Sequence, residues 1–291
     1  MSEAQSVPVS DNRPLAVICG GGSLPFAVAD AVAKRGRRVV LFAIRGWADP
    51  QRVACYPHHW ADFGQFGKFC RLARGEGCRD VVFIGSLVRP AIWQLRPDFK
   101  TLRLVPRIFG LFRGGDDHLL KGVAAVFEEH GFHLVGAHEI APEILMPEGP
   151  LGRERPRERD LQDIAKGLEL LDAISPFDVG QAVVVAEARV LATEAAEGTD
   201  QMLARVAELR RSRRIAPTSG RGVLVKAAKR DQDRRVDLPS IGPQTVEGAA
   251  RAGLAGIAVL AGSTIVAEPD RIAEVADREG LFVFGIREAT A

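Results

Sequence analysis

Cysteine is scarce. Cys19, Cys55, Cys70 and Cys78 are the only four, none forms a CxxC pair, and all lie in the first third of the chain. Neither a disulfide framework nor a structural zinc site has the spacing it needs, so reduced and mostly buried thiols are expected. Long apolar runs are missing too, and nothing approaches the roughly 20 residues that cross a bilayer. Met1 to Asn12 is polar and lacks the basic and apolar regions of a signal peptide, so a cytoplasmic protein is expected. Charge of one sign is also absent. Lys+Arg 39 against Asp+Glu 37 leaves a net charge of +2, which argues against nucleic acid as the main partner. No HExxH, P-loop or GxSxG occurs, and the six histidines show no metal-ligand spacing, which disfavours zincins, P-loop NTPases and acyl hydrolases. His58-His59 are adjacent, which turns the rings apart and reads as a surface pair.

What remains is a chain of 291 residues with a 46% apolar share, enough for two domains. Leu15-Ala-Val-Ile-Cys19 is a short apolar run that stops at Gly20-Gly21-Gly22. Ser23-Leu24-Pro25 follows, with helical spacing from Phe26 to Lys34, and Ser23 is the expected N-cap. Further strands are expected at 38–44, 80–84 (ending in Gly85-Ser86) and 132–135, with a helix over 116–130. The segment 147–160 is rich in Pro, Gly and mixed charge and reads as an exposed linker. Beyond it, helices are expected at 161–173, 200–211 and 244–252, with another between 260 and 281. Strands are expected at 181–186, 189–193, 223–226, 257–260 and 281–284. The fold class is therefore α/β with two α/β domains. A Rossmann-like parallel sheet is expected over 13–147, a linker over 148–160 and a mixed α/β domain over 161–291.

Two places carry chemistry. The glycine turn offers backbone N–H groups at a helix start, a geometry that suits phosphate, though a structural tight turn explains it as well. It meets the dinucleotide fingerprint only in part: Pro25 holds the third glycine position, and Ala43-Ile44-Arg45-Gly46 supplies no acidic residue. A nucleotide-sugar oxidoreductase is thereby a weaker alternative. The second place is Lys226-Ala-Ala-Lys229-Arg230-Asp231-Gln232-Asp233-Arg234-Arg235-Val236-Asp237, directly after an apolar strand. Carboxylates there can hold Mg²⁺, cations can neutralise phosphate, and a metal-held water can attack phosphorus; the competing reading is a solvated charged loop. A non-catalytic carrier of an anionic lipid is a further alternative. Three like charges beside phosphate speak against it unless a cation is present.

Asp116-Asp117-His118 and Glu194 with Glu197-Gly198-Thr199-Asp200 are further acidic candidates. An N-cap role explains one of the Asp116–Asp117 pair, and Thr199 or Asp200 would cap the next helix. Leu87 to Arg113 mixes Trp93, Phe99, Phe109 and Phe112 with Arg89, Arg96, Lys100, Arg103, Arg107 and Arg113, against the single Asp98. Such a stretch suits an anionic lipid surface, or a core helix with snorkelling arginines.

Six motifs in order resemble one small family. They are Gly20-Gly-Gly-Ser-Leu-Pro25, Gly115-Asp-Asp-His-Leu-Leu120, Gly180-Gln-Ala-Val-Val184, Glu194-Ala-Ala-Glu-Gly-Thr-Asp200, Lys229-Arg-Asp-Gln-Asp233 with Asp237-Leu-Pro-Ser-Ile-Gly242, and Ala252-Gly-Leu-Ala-Gly-Ile-Ala258. The family is the Mg²⁺-dependent UDP-2,3-diacylglucosamine pyrophosphatase of lipid A synthesis, the type unrelated to calcineurin-like phosphoesterases. The resemblance implies a cytoplasmic hydrolase with its substrate between two domains, the first binding substrate and the second catalytic. It implies release of UMP and 2,3-diacylglucosamine 1-phosphate (lipid X), with water attacking the sugar-side phosphorus.

On that resemblance Asp233 matches the catalytic aspartate, and Gln232, Asp237, Lys226 and Lys229 match its neighbours. Substrate contact is expected from Gly21, Gly22, Ser23, Leu24, Pro25, Gly85 and Ser86, and from Glu194, Gly198, Thr199 and Asp200. Mg²⁺ is the expected cofactor, with Asp233, Asp237 and Asp117 as candidate ligands. The expected partners are the lipid-linked UDP-sugar and the cytoplasmic face of the inner membrane, with no nucleic acid; a homodimer stays an open expectation. Arg230, Val236 and Thr193 depart from the family's usual Pro, Phe and Val, and Arg230 bears on loop rigidity.

Overall fold

The computed structural model describes residues 13–87, 96–104, 116–216, 221–229 and 232–287; the side chains of 116–119 fall outside that set. By its contacts the chain divides into two units, one within 1–106 and 125–135, the other within 107–124 and 136–291.

The first unit is built on a five-stranded sheet, β1 (Leu15–Cys19), β2 (Val39–Ile44), β3 (His58–Ala61), β4 (Asp80–Ile84) and β5 (His133–Leu134), in the order β3-β2-β1-β4-β5. Every pairing is parallel. β1 and β2 are buried along their whole length, as unbroken apolar strands must be when both faces of a parallel sheet are covered. Helix α1 (Leu24–Lys34) buries Phe26, Val28, Ala29 and Val32. Helix α2 (Phe66–Gly75) buries Phe69, whose ring meets Phe42 at 4.7 Å and Phe127 of α3 (Asp116–Glu129) at 5.1 Å. Neither β3 nor α2 is among the expected elements, although α2 carries apolar residues at helical spacing, Phe66, Phe69, Cys70 and Ala73. β3 is His58-His59-Trp60-Ala61, and successive side chains on a strand point to opposite faces. His59 Nε2 accordingly lies 2.8 Å from Glu76, whereas His58 Nδ1 bonds the Tyr56 carbonyl.

The second unit carries a six-stranded mixed sheet. Its strands are β6 (Gly149–Pro150), β7 (Ala182–Ala186), β8 (Arg189–Thr193), β9 (Val223–Lys226), β11 (Gly256–Leu260) and β13 (Phe282–Ile286), in the order β6-β13-β11-β9-β7-β8. A separate parallel pair joins β10 (Ser240–Ile241) to β12 (Ile265–Val266). Alternate residues of the central strands feed two apolar layers. On one face Val183, Val185, Val223 and Val225 meet Ile164 and Leu171 of α4 (Glu158–Ile174). On the other, Val184, Leu224, Ile257 and Val283 meet Met202 and Leu203 of α5 (Gly198–Arg211), Val246 of α6 (Pro243–Arg251) and Ile272 of α7 (Pro269–Glu279).

Three expectations need correction. Residues 148–160 do more than link: Gly149–Pro150 pairs antiparallel with β13, Arg153 N–H donates to Asp277 at 2.7 Å, and Asp160 accepts from Arg157 N–H at the start of α4. Ser23 precedes α1 without a side-chain cap, because its own backbone is already helical at φ −91° and ψ −19°. Thr199 and Asp200 lie inside α5, which starts at Gly198, and the Thr199 hydroxyl is turned to Glu194 at 2.7 Å. Of the cysteines, Cys19, Cys70 and Cys78 are buried, Cys55 is exposed, and all four are free.

The β7–β8 hairpin turns on Glu187 and Ala188, with φ +52° and +57° and no glycine to relieve the left-handed backbone. Asp163 of α4, itself buried, accepts from both of their N–H groups at 3.2 and 2.7 Å. Asp163→Ala is expected to cost about 2–3 kcal/mol, from lost charge-assisted bonds and two orphaned donors. Ala188→Gly, in contrast, should be neutral or stabilising by up to about 1 kcal/mol. Urea unfolding of the two variants checks both; equal effects would mean that the carboxylate does not hold the turn.

Candidate active site

At the carboxyl ends of β1 and β4 the chain leaves the sheet on both sides of its central pair, the place where strand order reverses in an open α/β sheet. Gly21 and Ser86 exchange backbone hydrogen bonds there, each at 2.9 Å. Gly85 sits at φ +102°, and a Cβ on it would come within 2.8 Å of Gly20 C and Gly21 O. The glycines at 20, 21 and 85 therefore let two backbones cross. The structural reading of the turn is met whether or not it also receives phosphate. Gly22 at φ +87° and Ser86 are exposed beside the start of α1 (Leu24, then Pro25), so the expected first-unit residues stand together.

In the second unit the expected residues gather at the carboxyl end of β9. Lys226 is the last residue of that strand, and only 8% of it is exposed. Its Nζ donates to the Ser240 carbonyl at 3.0 Å. Burial pushes its pKa down, while Glu194, Asp237 and Asp200 hold it up. Glu194 accepts from the Thr199 hydroxyl at 2.7 Å and from the Gln181 N–H at 3.0 Å. Asp237 Oδ2 accepts from the side-chain amides of both Gln181, at 2.9 Å, and Gln232. Burial raises the Asp237 pKa, and those two bonds together with Lys229 and Lys226 oppose the rise. The Gln232 carbonyl oxygen accepts from Lys229 N–H at 3.0 Å, and the Lys229 ammonium pairs with Asp178.

Asp233 lies on the same loop but points elsewhere. Its carboxylate takes both the Nε and an Nη of Arg235, at 3.0 and 2.8 Å, and the Arg235 N–H at 3.1 Å. Those bonds hold it below the usual aspartate range. Nearby stands His138, which no motif singled out. Its Nδ1 is buried without a hydrogen-bond partner among the described residues, and the ring senses the charges of Arg234 and Asp233. Burial keeps its pKa below the ordinary histidine value, against the opposing charges of Glu139 and Asp233.

Among the described residues no group of three or more His, Cys, Asp or Glu converges on one point. Asp117 falls in the first turn of α3, with its side chain outside the described set; Asp231 and Arg230 are outside it altogether. Two loop carboxylates, Asp233 and Asp237, do not make an all-protein cage. Mg²⁺ usually takes only one or two carboxylates and completes its shell with water and substrate phosphates, so either carboxylate by itself has the donor type that ion uses. Gln181, Asp178 and His138 are not among the residues the sequence marks as candidates. Gln181 lies in the Gly180-Gln motif, but an amide carries no charge or spacing signal.

Arg235→Gln removes the main cause of the lowered Asp233 pKa. Because that pKa is depressed in the fold, the pair's stabilising effect is present above the ordinary value of 3.8 and is lost as pH falls through the lower folded value. A stability deficit of about 1 kcal/mol at pH 7 is expected to shrink towards zero below that range. Denaturation at several pH values checks it, and a pH-independent deficit would mean that the arginine acts through packing alone.

Comparison with known proteins bears on both units. The LpxI N-terminal domain matches residues 14–144 and the LpxI C-terminal domain matches residues 147–284. The UDP-2,3-diacylglucosamine pyrophosphatase LpxI of Caulobacter vibrioides is 43% identical over 274 residues, which covers 94% of this chain and 98% of that protein. With both domains present in order along nearly its full length, the chain belongs to the LpxI family.

Proposed function

We propose that the chain hydrolyses the pyrophosphate bond of UDP-2,3-diacylglucosamine, giving UMP and 2,3-diacylglucosamine 1-phosphate. The observation that carries this is its 43% identity, over nearly the whole of both chains, to a pyrophosphatase named for that substrate. The gathering of Lys226, Lys229, Gln232 and Asp237 at the end of β9, with Asp233 on the same loop, supports it. Cations beside a ligand-bearing sheet edge can neutralise phosphate oxygens. Mg²⁺ belongs to the proposal, held by Asp233 or Asp237 with the substrate's phosphates; when bound it would polarise phosphoryl oxygen and make water a stronger nucleophile. Asp233 is the residue proposed to hold the metal or to accept the water's proton. The glycine turn of the first unit is proposed to contact phosphate through backbone N–H groups.

Turnover of UDP-2,3-diacylglucosamine, followed as UMP release, is expected to need Mg²⁺, to stop with EDTA, and to fall at least about 100-fold in Asp233→Ala. Cleavage that survives EDTA would remove the metal from the proposal. Absence of cleavage with lipid X bound would turn the reading towards a carrier.

Contact with a lipid surface is also proposed. No helix among the described residues is long and apolar enough to cross a membrane. Residues 99–104 are helical and leave Phe99 71% and Leu102 53% exposed, with the Arg103 guanidinium 4.6 Å over the Phe99 ring. Apolar rings beside a cation suit anionic headgroups on the cytoplasmic face of the inner membrane. Flotation with vesicles containing phosphatidylglycerol should be weakened several-fold in a Phe99→Ser, Leu102→Ser double variant; unchanged flotation would remove this contact. Arg89, Arg107 and Arg113, expected in the same stretch with Trp93, Phe109 and Phe112, lie outside the described residues.

A further inference from the structure

We propose that Gln181 is a positioning residue for the loop that carries Asp233, acting through Asp237. The proposal rests on the hydrolase reading above and adds to it the part of the site that holds the loop in place.

The Asp233 loop closes on itself. Val236 N–H and Asp237 N–H both donate to the Asp233 carbonyl, at 3.0 and 3.1 Å, so residues 233–237 form one tight turn. Gln232 on one flank of the turn donates its amide to the Asp237 carboxylate on the other, which locks the two flanks together. These bonds give the turn its shape but do not fix where it sits. Among the described residues, the side-chain bond from Asp237 to the body of the sheet is the one from Gln181 Nε2, at 2.9 Å.

Gln181 is well placed for this. Its carbonyl accepts from Ala227 N–H at 3.0 Å, one residue beyond the last paired position of β9, and its N–H donates to Glu194 at 3.0 Å. Its backbone is thus bound on both sides, by the strand that ends in Lys226 and by the chain leaving β8. Gly180 before it allows that fit, since a Cβ there would stand 2.3 Å from the Glu194 carbonyl oxygen. A side chain with so fixed a backbone gives up little freedom when it makes a bond. The same residue touches Glu194 through its backbone and Asp237 through its side chain. These are two of the three carboxylates whose charges bear on the buried Lys226 ammonium. Removal of the amide would leave Asp237 buried with one donor fewer and the turn tied to the sheet through its backbone ends.

The test uses the full chain with Gln181→Met, which keeps length and bulk without a donor, and Gln181→Glu, which turns an acceptor towards Asp237. Two readouts are taken: hydrogen exchange of residues 232–238 without ligand, and kcat and KM for UDP-2,3-diacylglucosamine. In Gln181→Met, exchange across 232–238 is expected to quicken about tenfold, while β7, β9 and α4 exchange as before. kcat should fall tenfold or more with KM within about threefold, since loosened geometry costs rate more than affinity. Gln181→Glu should be at least as impaired at pH 7, where two carboxylates would face each other. Unchanged exchange in the loop overturns the proposal, as does a looser loop that leaves kcat untouched. Loosening spread over the whole second unit would assign Gln181 a structural role instead. If the wild type does not cleave the substrate, the hydrolase reading fails by itself, and the exchange result still decides whether Gln181 holds the loop.

Discussion

An ammonium taken out of water has to be given negative partners, or it loses its proton, and much of the second unit is arranged around that requirement at Lys226. β9 brings the side chain to its carboxyl end with almost no exposure. Glu194 comes from the chain beyond β8, Asp200 from the first turn of α5 and Asp237 from the loop before β10; their charges favour the ammonium, whose hydrogen bond goes to the Ser240 carbonyl. Asp200 is exposed, whereas Glu194 and Asp237 are partly buried, and each of these two is given a pair of donors: Thr199 and Gln181 for Glu194, Gln181 and Gln232 for Asp237. A network satisfied in this way specifies one arrangement of the loops, because any other leaves a charge without its partner.

The first unit meets a different constraint, of space rather than charge. Its two central strands must both release their chains at the same end of the sheet, and the backbones cross at Gly20, Gly21 and Gly85 with no room for a Cβ. That crossing accounts for Gly20 and Gly21 without any ligand. What the crossing leaves open to solvent, Gly22 and Ser86 beside the start of α1, is therefore the part of the motif that packing does not explain.

Much of this was legible in the sequence because the strong signals are periodic. β1, β4, β7, β8 and β9 are short apolar runs bounded by turn residues, and the structure places them within a residue or so of where the pattern does. β3 carries no such signal because His58-His59-Trp60-Ala61 has no apolar alternation: as an edge strand it needs none, being held by backbone bonds to β2. β6, β10 and β12 have two residues each, too few for any period to show. In the candidate site, Lys226, Asp233 and Asp237 stand out by residue type, whereas Gln181 and His138 are brought there by the fold, and only long-range contacts reveal that. Ser23 and Thr199, expected as caps, depart from that role for different reasons. Their hydroxyls fit the pattern, but local backbone conformation in one case and a competing carboxylate in the other decided where they went.

The short strand β6 closes one side of the second sheet with a residue that cannot extend it. Pro150 stands opposite Phe284 with no N–H of its own, and the chain passes so near Gly285 there that a Cβ would collide with the Pro147 carbonyl. A sheet rich in buried valine and isoleucine would otherwise present β13, Phe282–Ile286, as a ready template for a foreign strand. With β6 laid over it and ending in proline, that border offers too little continuous hydrogen-bonding backbone for another chain to add to it, and the apolar core is kept from seeding aggregation on that side.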